Sequence, residues 1–472
     1  MDDKNFVRGA VVVTPDGGTE LRLRDAPKAK WRSWIKVGPE ENLSLVDFTK
    51  DASSAYLMTS IGSDTARLVL RPLKGGPDKE LWRDDRVDAD DVQMHPTKHV
   101  AEAVGFAPGR HAWKVLDPSV AADFEGIAKL SDGDYYVGSR DRADKTWLVS
   151  FTRDRGPTTF WSWDRAAKKG TFLFTAQPKL EGAALAEMKP IELKARDGTV
   201  LHGYLTLPPA AAAVAAPKLP MVLLVHGGPW ARDFWGFNSQ AQWLANRGYA
   251  VLQINYRGSE GYGKKFLHAA DKKWGLEMHS DLIDAVNWAV TGGIADAKKV
   301  AIMGGSYGGY ATLAGLAFTP DVFRCGVDIV GPSNLLTLLA SIPPYWKPLL
   351  AMFSTRVGDP KTEEDLLKKA SPLFSADKIK APLLIGQGKN DPRVKVAESE
   401  QIVNAIEKNK GRVTYVLYPD EGHGFARPEN RIDFYARAEA FLAESLGGRV
   451  EPLAGDKVPG STGIIRVIGG KK

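Results

Sequence analysis

From residue 221 onward the chain repeats one pattern: a short apolar run, a stretch of helical periodicity, then another apolar run. The apolar runs fall at 221–225, 249–254, 300–303, 326–330, 382–385 and 413–417. Strands without polar alternation are buried on both faces, which requires helices above and below the sheet. The alternation therefore predicts an open, mostly parallel α/β sheet. Leu282, Ala285, Val286 and Ala289 share one helical face, with Ser280 placed as a cap, and Phe434, Ala438, Phe441 and Leu442 share another that Gly447-Gly448 ends. A hairpin over 191–207, turning at Arg196-Asp197-Gly198-Thr199, leads into this region. Pro208-Pro209 and the run Ala210-Ala211-Ala212-Ala213 read as a surface connection.

The first 185 residues follow a different rule. Short alternating strands such as Ala55-Tyr56-Leu57-Met58-Thr59 and Trp147-Leu148-Val149-Ser150-Phe151 are separated by Gly, Asp, Asn and Pro turns. Three stretches, 45–84, 87–119 and 123–175, share a layout that suits four-stranded propeller blades, with a sandwich or another antiparallel assembly as the alternative. Trp113, Trp147, Trp161 and Trp163 fall within these alternations, so burial between sheets is expected of them rather than ligand stacking. The expected organisation is a partial β-propeller-like domain over 1–185, an α/β domain over 186–448, and a Gly/Pro-rich tail over 449–472. That tail is expected to be extended and partly mobile.

Composition narrows the function. The chain has 472 residues, more than one core usually supports. Its formal net charge of +6 comes from basic residues scattered among acidic ones, which argues against a nucleic-acid partner. The single cysteine, Cys325, excludes an intrachain disulfide and a cysteine metal cluster, and is expected to be an inert core residue. No run is long enough to cross a bilayer, and Met1 to Asn5 does not open a secretory signal.

The strongest local signal is Gly304-Gly305-Ser306-Tyr307-Gly308-Gly309, between the strand at 300–303 and a helical run through Ala311, Leu313 and Leu316. A sharp strand-to-helix turn of this kind presents a serine hydroxyl above the sheet, and small neighbours let strand and helix approach. Serine needs a base and an orienting acid to act as nucleophile. Asp391 follows the strand at 382–385 and His423 follows the strand at 413–417, so both lie on loops beyond carboxyl ends of strands. Asp420 and Glu421 are too near His423 in the chain to hold its ring from behind, which favours Asp391. Oxyanion donors are expected from the Tyr307 N–H and from the loop His226-Gly227-Gly228, with His226 adding a side-chain donor. No H-E-x-x-H or comparable ligand set accompanies His226, so neither a catalytic metal nor another cofactor is expected. Asn255 to Gly263 lacks the spacing of a phosphate or dinucleotide loop. Its Arg257 and Glu260, with Trp230 and Trp346, are candidates for the substrate pocket; Phe234, Trp235 and Tyr307 are further candidates for apolar walls.

These segments together, His226-Gly227-Gly228-Pro229, Asn255 to Gly263, Gly304 to Gly309, Asp391-Pro392-Arg393-Val394 and Glu421-Gly422-His423-Gly424, resemble the prolyl oligopeptidase family of serine peptidases. The likeness to its acylaminoacyl-peptidase and dipeptidyl-peptidase branches covers residues 185 to 447. The resemblance implies a Ser306–Asp391–His423 triad acting on short peptides. It also implies a tyrosine in some relatives where His226 stands, and Gln387-Gly388 departs from the usual histidine-glycine before the acid. Family members carry a complete propeller, whereas the β-region here suffices for three or four blades. Either an amino-terminal segment is missing, or a partner chain or second copy completes the domain, or the domain closes otherwise. The compartment would be cytoplasmic for a complete chain and periplasmic or secreted for a processed one. The expected reaction is peptide-bond hydrolysis through an acyl-enzyme. A carboxylesterase using the same triad and a catalytically silent protein-binding module are the alternatives. Acylaminoacyl, dipeptidyl and endo-oligopeptidase modes are all compatible with these residues.

Overall fold

The computed structural model describes residues 6–209, 218–453 and 455–469. The expected connection at 210–213, the amino-terminal Met1 to Asn5 and the final Gly470-Lys471-Lys472 lie outside the described residues.

The amino-terminal half is built from four antiparallel sheets of three or four strands each. Three of them, spanning 43–82, 89–115 and 134–175, coincide with the stretches read from the sequence. The first, from Gly9–Val13 through Arg32–Val37, was not anticipated, because its strands are short and half-exposed. The expected burial of the tryptophans divides. Trp147 and Trp163 are fully buried, whereas Trp113 and Trp161 are half-buried against the same cluster.

The second half forms one nine-stranded sheet. Its centre is parallel, from Ala250–Asn255 through Leu219–Val225, Ala295–Gly305, Cys325–Ile329 and Leu383–Gly388 to Val413–Tyr418. The hairpin Met188–Lys194 and Val200–Thr206 adds antiparallel strands at one side. Apolar cores lie on both faces. One is covered by the helices Glu277–Thr291, Tyr307–Phe318 and Val396–Lys408, the other by Ser239–Asn246 and Pro428–Leu446. This is an α/β-hydrolase domain behind a partial β-propeller-like domain. The two are joined by contacts such as Tyr204 Oη to the Gly109 carbonyl (2.8 Å) and Lys264 Nζ to Glu41 (2.7 Å).

Two local readings are corrected. Ser280 is no cap: the helix starts three residues earlier, at Glu277, and the Ser280 N–H already donates to the Leu276 carbonyl. The carboxyl-terminal tail is not merely extended, because Ile464–Ile468 pairs antiparallel with Val413–Tyr418 as the edge strand of the sheet. Its β-branched residues favour strand geometry, and Arg466 ties it to Asn404 (3.1 Å) and Glu407.

Candidate active site

Ser306 sits between the strand Ala295–Gly305 and the helix Tyr307–Phe318 with φ 58° and ψ −117°. That is strained for a residue with a side chain and is the conformation that lifts a serine out of a sharp turn. The turn closes because its neighbours are glycine. A Cβ on Gly308 would stand 2.2 Å from the Val225 carbonyl oxygen, and one on Gly304 would stand 2.6 Å from it. The Ser306 N–H donates to the Ile329 carbonyl at 2.8 Å.

Asp391 and His423 are brought together as the sequence reading requires. His423 Nδ1 lies 2.7 Å from Asp391 Oδ2, while Asp391 Oδ1 accepts from the N–H groups of Arg393 (2.8 Å) and Val394 (2.9 Å). The carboxylate is buried and held from both sides, so it fixes the ring with Nδ1 donating and Nε2 turned away from it. The loops carrying the two residues interlock: the Asn390 N–H donates to the Glu421 carbonyl, and a Cβ on Gly388 would stand 2.1 Å from the Gly422 oxygen. The rival acids are committed elsewhere. Glu421 accepts from the Ala426 and Arg427 N–H groups, and Asp420 bonds Arg427, Asn430 and Thr462. Among the described residues, no hydrogen bond joins Ser306 Oγ to His423; such contacts are often long without substrate and close in the complex.

The loop after Leu219–Val225 approaches the serine from the other side. A Cβ on Gly227 would lie 3.5 Å from Ser306 Cβ, so the Gly227-Gly228 backbone borders Ser306. The Tyr307 N–H belongs to the first turn of the following helix, whose leading donors lack intrahelical partners. The His226 ring does not join them. Its Nδ1 lies 2.8 Å from the Gly227 carbonyl and its Nε2 3.0 Å from Ser259 Oγ, with the ring stacked on Tyr256. Burial pushes its pKa down to about 4, so it is a neutral, internally bonded imidazole rather than an oxyanion donor.

The pocket candidates separate into two groups. Trp230 and Trp346 both pack on Phe353, edge-on and stacked respectively, each at 5.5 Å. Arg393, two residues past Asp391, lies over Trp346, and Arg356 lies over Trp230. This aromatic wall thus links the acid loop to the loop of Gly227 and Gly228. Phe353 and Arg356 were missed in the sequence because their helix, Leu350–Arg356, is a short element in a proline-broken stretch. Arg257 is not a pocket residue. Its guanidinium makes a double contact with buried Asp281 (2.8 and 2.6 Å) and a third with Asp197, beneath the turn. Trp235 donates to the Met188 carbonyl and lies under Arg110, joining the domains. The Tyr307 phenol points into the core among Tyr256, Trp274 and Tyr310. Cys325 is buried, which pushes its thiol up to about 12. Glu260 and Phe234 line a cavity of about 670 Å³ between the two domains, and burial raises the Glu260 carboxyl above its ordinary range.

One cluster, His95, Glu102 and Asp144 in the β-domain, brings potential metal ligands together. Arg140 already bridges Glu102 and Asp144, and Arg165 adds a second cation to Asp144. Guanidinium groups thus fill the place of an ion, and the residues do not fit a metal. No helix among the described residues is long and apolar enough to cross a membrane.

Residues 235–449 match the model of the prolyl oligopeptidase family. The matched stretch takes in most of the nine-stranded sheet and its helices. The chain is 48% identical over 450 residues to dipeptidyl aminopeptidase BIII of Pseudoxanthomonas mexicana, covering 94% of this chain and 65% of that protein. It is 38% identical to dipeptidyl peptidase family member 6 of Caenorhabditis elegans, covering 94% of this chain and 64% of the relative. The chain thus spans somewhat less than two thirds of either relative. Among solved structures it superposes on a puromycin-hydrolyzing peptidase of Mycobacterium tuberculosis with a TM-score of 0.79 and 25% identity, over 93% of this chain and 68% of that one. With Pyrococcus horikoshii acylaminoacyl peptidase it shares the fold, at a TM-score of 0.69 and 21% identity, over 92% of this chain and 68% of that one.

Proposed function

We propose that this chain is a serine peptidase that cleaves short peptides through an acyl-enzyme. Ser306 attacks the scissile carbonyl while His423 Nε2 takes its proton, and Asp391 holds the ring and stabilises the imidazolium. The oxyanion is met by the Tyr307 N–H and the Gly227-Gly228 backbone, without help from the His226 side chain. His423 then protonates the leaving amine, and water releases the acyl group by the reverse sequence. The observation that carries this reading is the 2.7 Å contact between His423 Nδ1 and Asp391, beside a serine in strained backbone geometry. A fluorophosphonate probe tests it: the label is expected on the wild type and absent from Ser306→Ala. Labelling that persists in the variant refutes the assignment.

The proposed substrates carry a free amino terminus. Six carboxylates and three basic side chains line the interdomain cavity, and one of those cations, Lys264, is already paired with Glu41. The remaining negative field favours an ammonium group. Both relatives matched over 94% of this chain are named for dipeptidyl activity, which agrees with this reading. Anilides of free dipeptides, their acetylated forms and short-chain esters separate the modes. The free dipeptides are expected to turn over best. Equal cleavage of acetylated substrates would refute the amino-terminal reading, and turnover of esters alone would favour a carboxylesterase.

A further inference from the structure

Ser306 is not the only strained residue at the elbow. Val330, 24 residues further on and just past the neighbouring strand Cys325–Ile329, has φ 50°, a conformation rarely taken by a β-branched side chain. The two positions are tied together. The Ser306 N–H donates to the Ile329 carbonyl (2.8 Å), and the Val330 N–H donates to the Gly386 carbonyl (2.9 Å). The turn at 329–331 is therefore the wall on which the serine backbone hangs.

One side chain holds this turn. Asp328, at the end of Cys325–Ile329, is fully buried, and its Oδ1 accepts from the Gly331 N–H at 2.9 Å. The carboxyl lies between two glycines. A Cβ on Gly331 would stand 2.4 Å from Oδ1, and one on Gly309, in the first turn of the elbow helix, would stand 2.2 Å from it. The same oxygen thus touches the strained turn and the helix that carries the Tyr307 N–H. Among the described residues, Oδ2 has no hydrogen-bond partner. A buried carboxyl so poorly satisfied is costly and needs a compensating role.

We propose that Asp328 is a positioning residue for the nucleophile: it pins the turn at 329–331 against the elbow helix, and that turn fixes the Ser306 backbone. The proposal rests on the reading of Ser306 as nucleophile. Without the carboxyl, the Gly331 N–H loses its acceptor and Val330 is free to relax out of its strained conformation. The Ile329 carbonyl would move with it, and so would the serine. Substrate contacts along the aromatic wall are left untouched, so the chemical step suffers while binding does not.

The test compares Asp328→Ala, which removes the acceptor, with Asp328→Asn, which retains an oxygen for the Gly331 N–H. Active-site titration with a fluorophosphonate normalises both, and steady-state kinetics on a dipeptide anilide follow. Asp328→Ala is expected to lower kcat and the rate of acylation by at least about tenfold, the scale on which small misplacements act, with KM within about threefold of wild type. Asp328→Asn should recover most of that loss. Should Asp328→Ala not fold, Asp328→Ser, too short to reach Gly331, replaces it in the same comparison. Acylation by the Ala or Ser variant at the wild-type rate overturns the proposal, as does an Asn variant as slow as either. Labelling of Ser306→Ala would instead overturn the nucleophile reading, so the two failures are distinguishable.

Discussion

Asp328→Asn should change how stability depends on pH, apart from any effect on rate. Burial pushes the Asp328 carboxyl up to about 7 from its ordinary value of 3.8, and among the described residues its only hydrogen-bond partner is the Gly331 N–H. The folded chain therefore keeps this proton to higher pH than the unfolded chain does. Below the unfolded value the ionisation penalty is absent. It grows as pH rises through the interval and is complete above about 7. At 1.36 kcal/mol per pH unit the full penalty is roughly 4 kcal/mol, of which more than half accrues between pH 5 and 8. Asparagine does not titrate. It leaves an unpaired amide N–H in the same pocket, a cost of about 1–3 kcal/mol that is the same at every pH. Urea denaturation of both proteins at half-unit steps from pH 5 to 8 reads the difference directly. The variant should gain about 2–3 kcal/mol on the wild type across that range, whatever its starting offset. Difference curves that stay flat would refute the reasoning, since Asp328 would then ionise at the same pH in both states.

Three other outcomes are expected. Asp391→Asn should lower kcat by about four orders of magnitude, because the ring loses its orienting acceptor, with the thermal midpoint little changed; active-site-titrated kinetics and a melting curve check both parts. Arg257→Ala should leave Asp281 buried without its partner and cost about 3–5 kcal/mol of stability, while KM stays within about twofold, as chemical denaturation and kinetics would show. Gly308→Ala should force a methyl group to within 2.2 Å of the Val225 carbonyl and open the elbow, so that fluorophosphonate labelling falls sharply even in protein that remains soluble.

The residues read most directly from the sequence are those whose place follows from strand order. Ser306, Asp391 and His423 each follow a parallel strand, and the carboxyl ends of parallel strands share one edge of a sheet. Arg257 and Glu260 could not be separated in the same way. They stand three residues apart in one loop, and their fates depend on Asp281, in a helix 24 residues further on, and on the β-domain across the cavity. His226 was misjudged for a similar reason: Ser259, 33 residues away, claims its second ring nitrogen. The edge strand Ile464–Ile468 was hidden because an isolated β-branched run does not state which edge it will join.

Local chemistry along the chain determined the alternation of strands and helices, the glycine-framed elbow and the order of Ser306, Asp391 and His423 along it. Each depends on steric limits and periodicities that act over a few residues. The packed molecule decided which ring nitrogens are spoken for, which arginine is locked under the turn, and that a buried carboxyl at 328 braces the serine. Those are questions of which distant group arrives first at a given atom, and only the closing of the sheet and its two helical layers answers them.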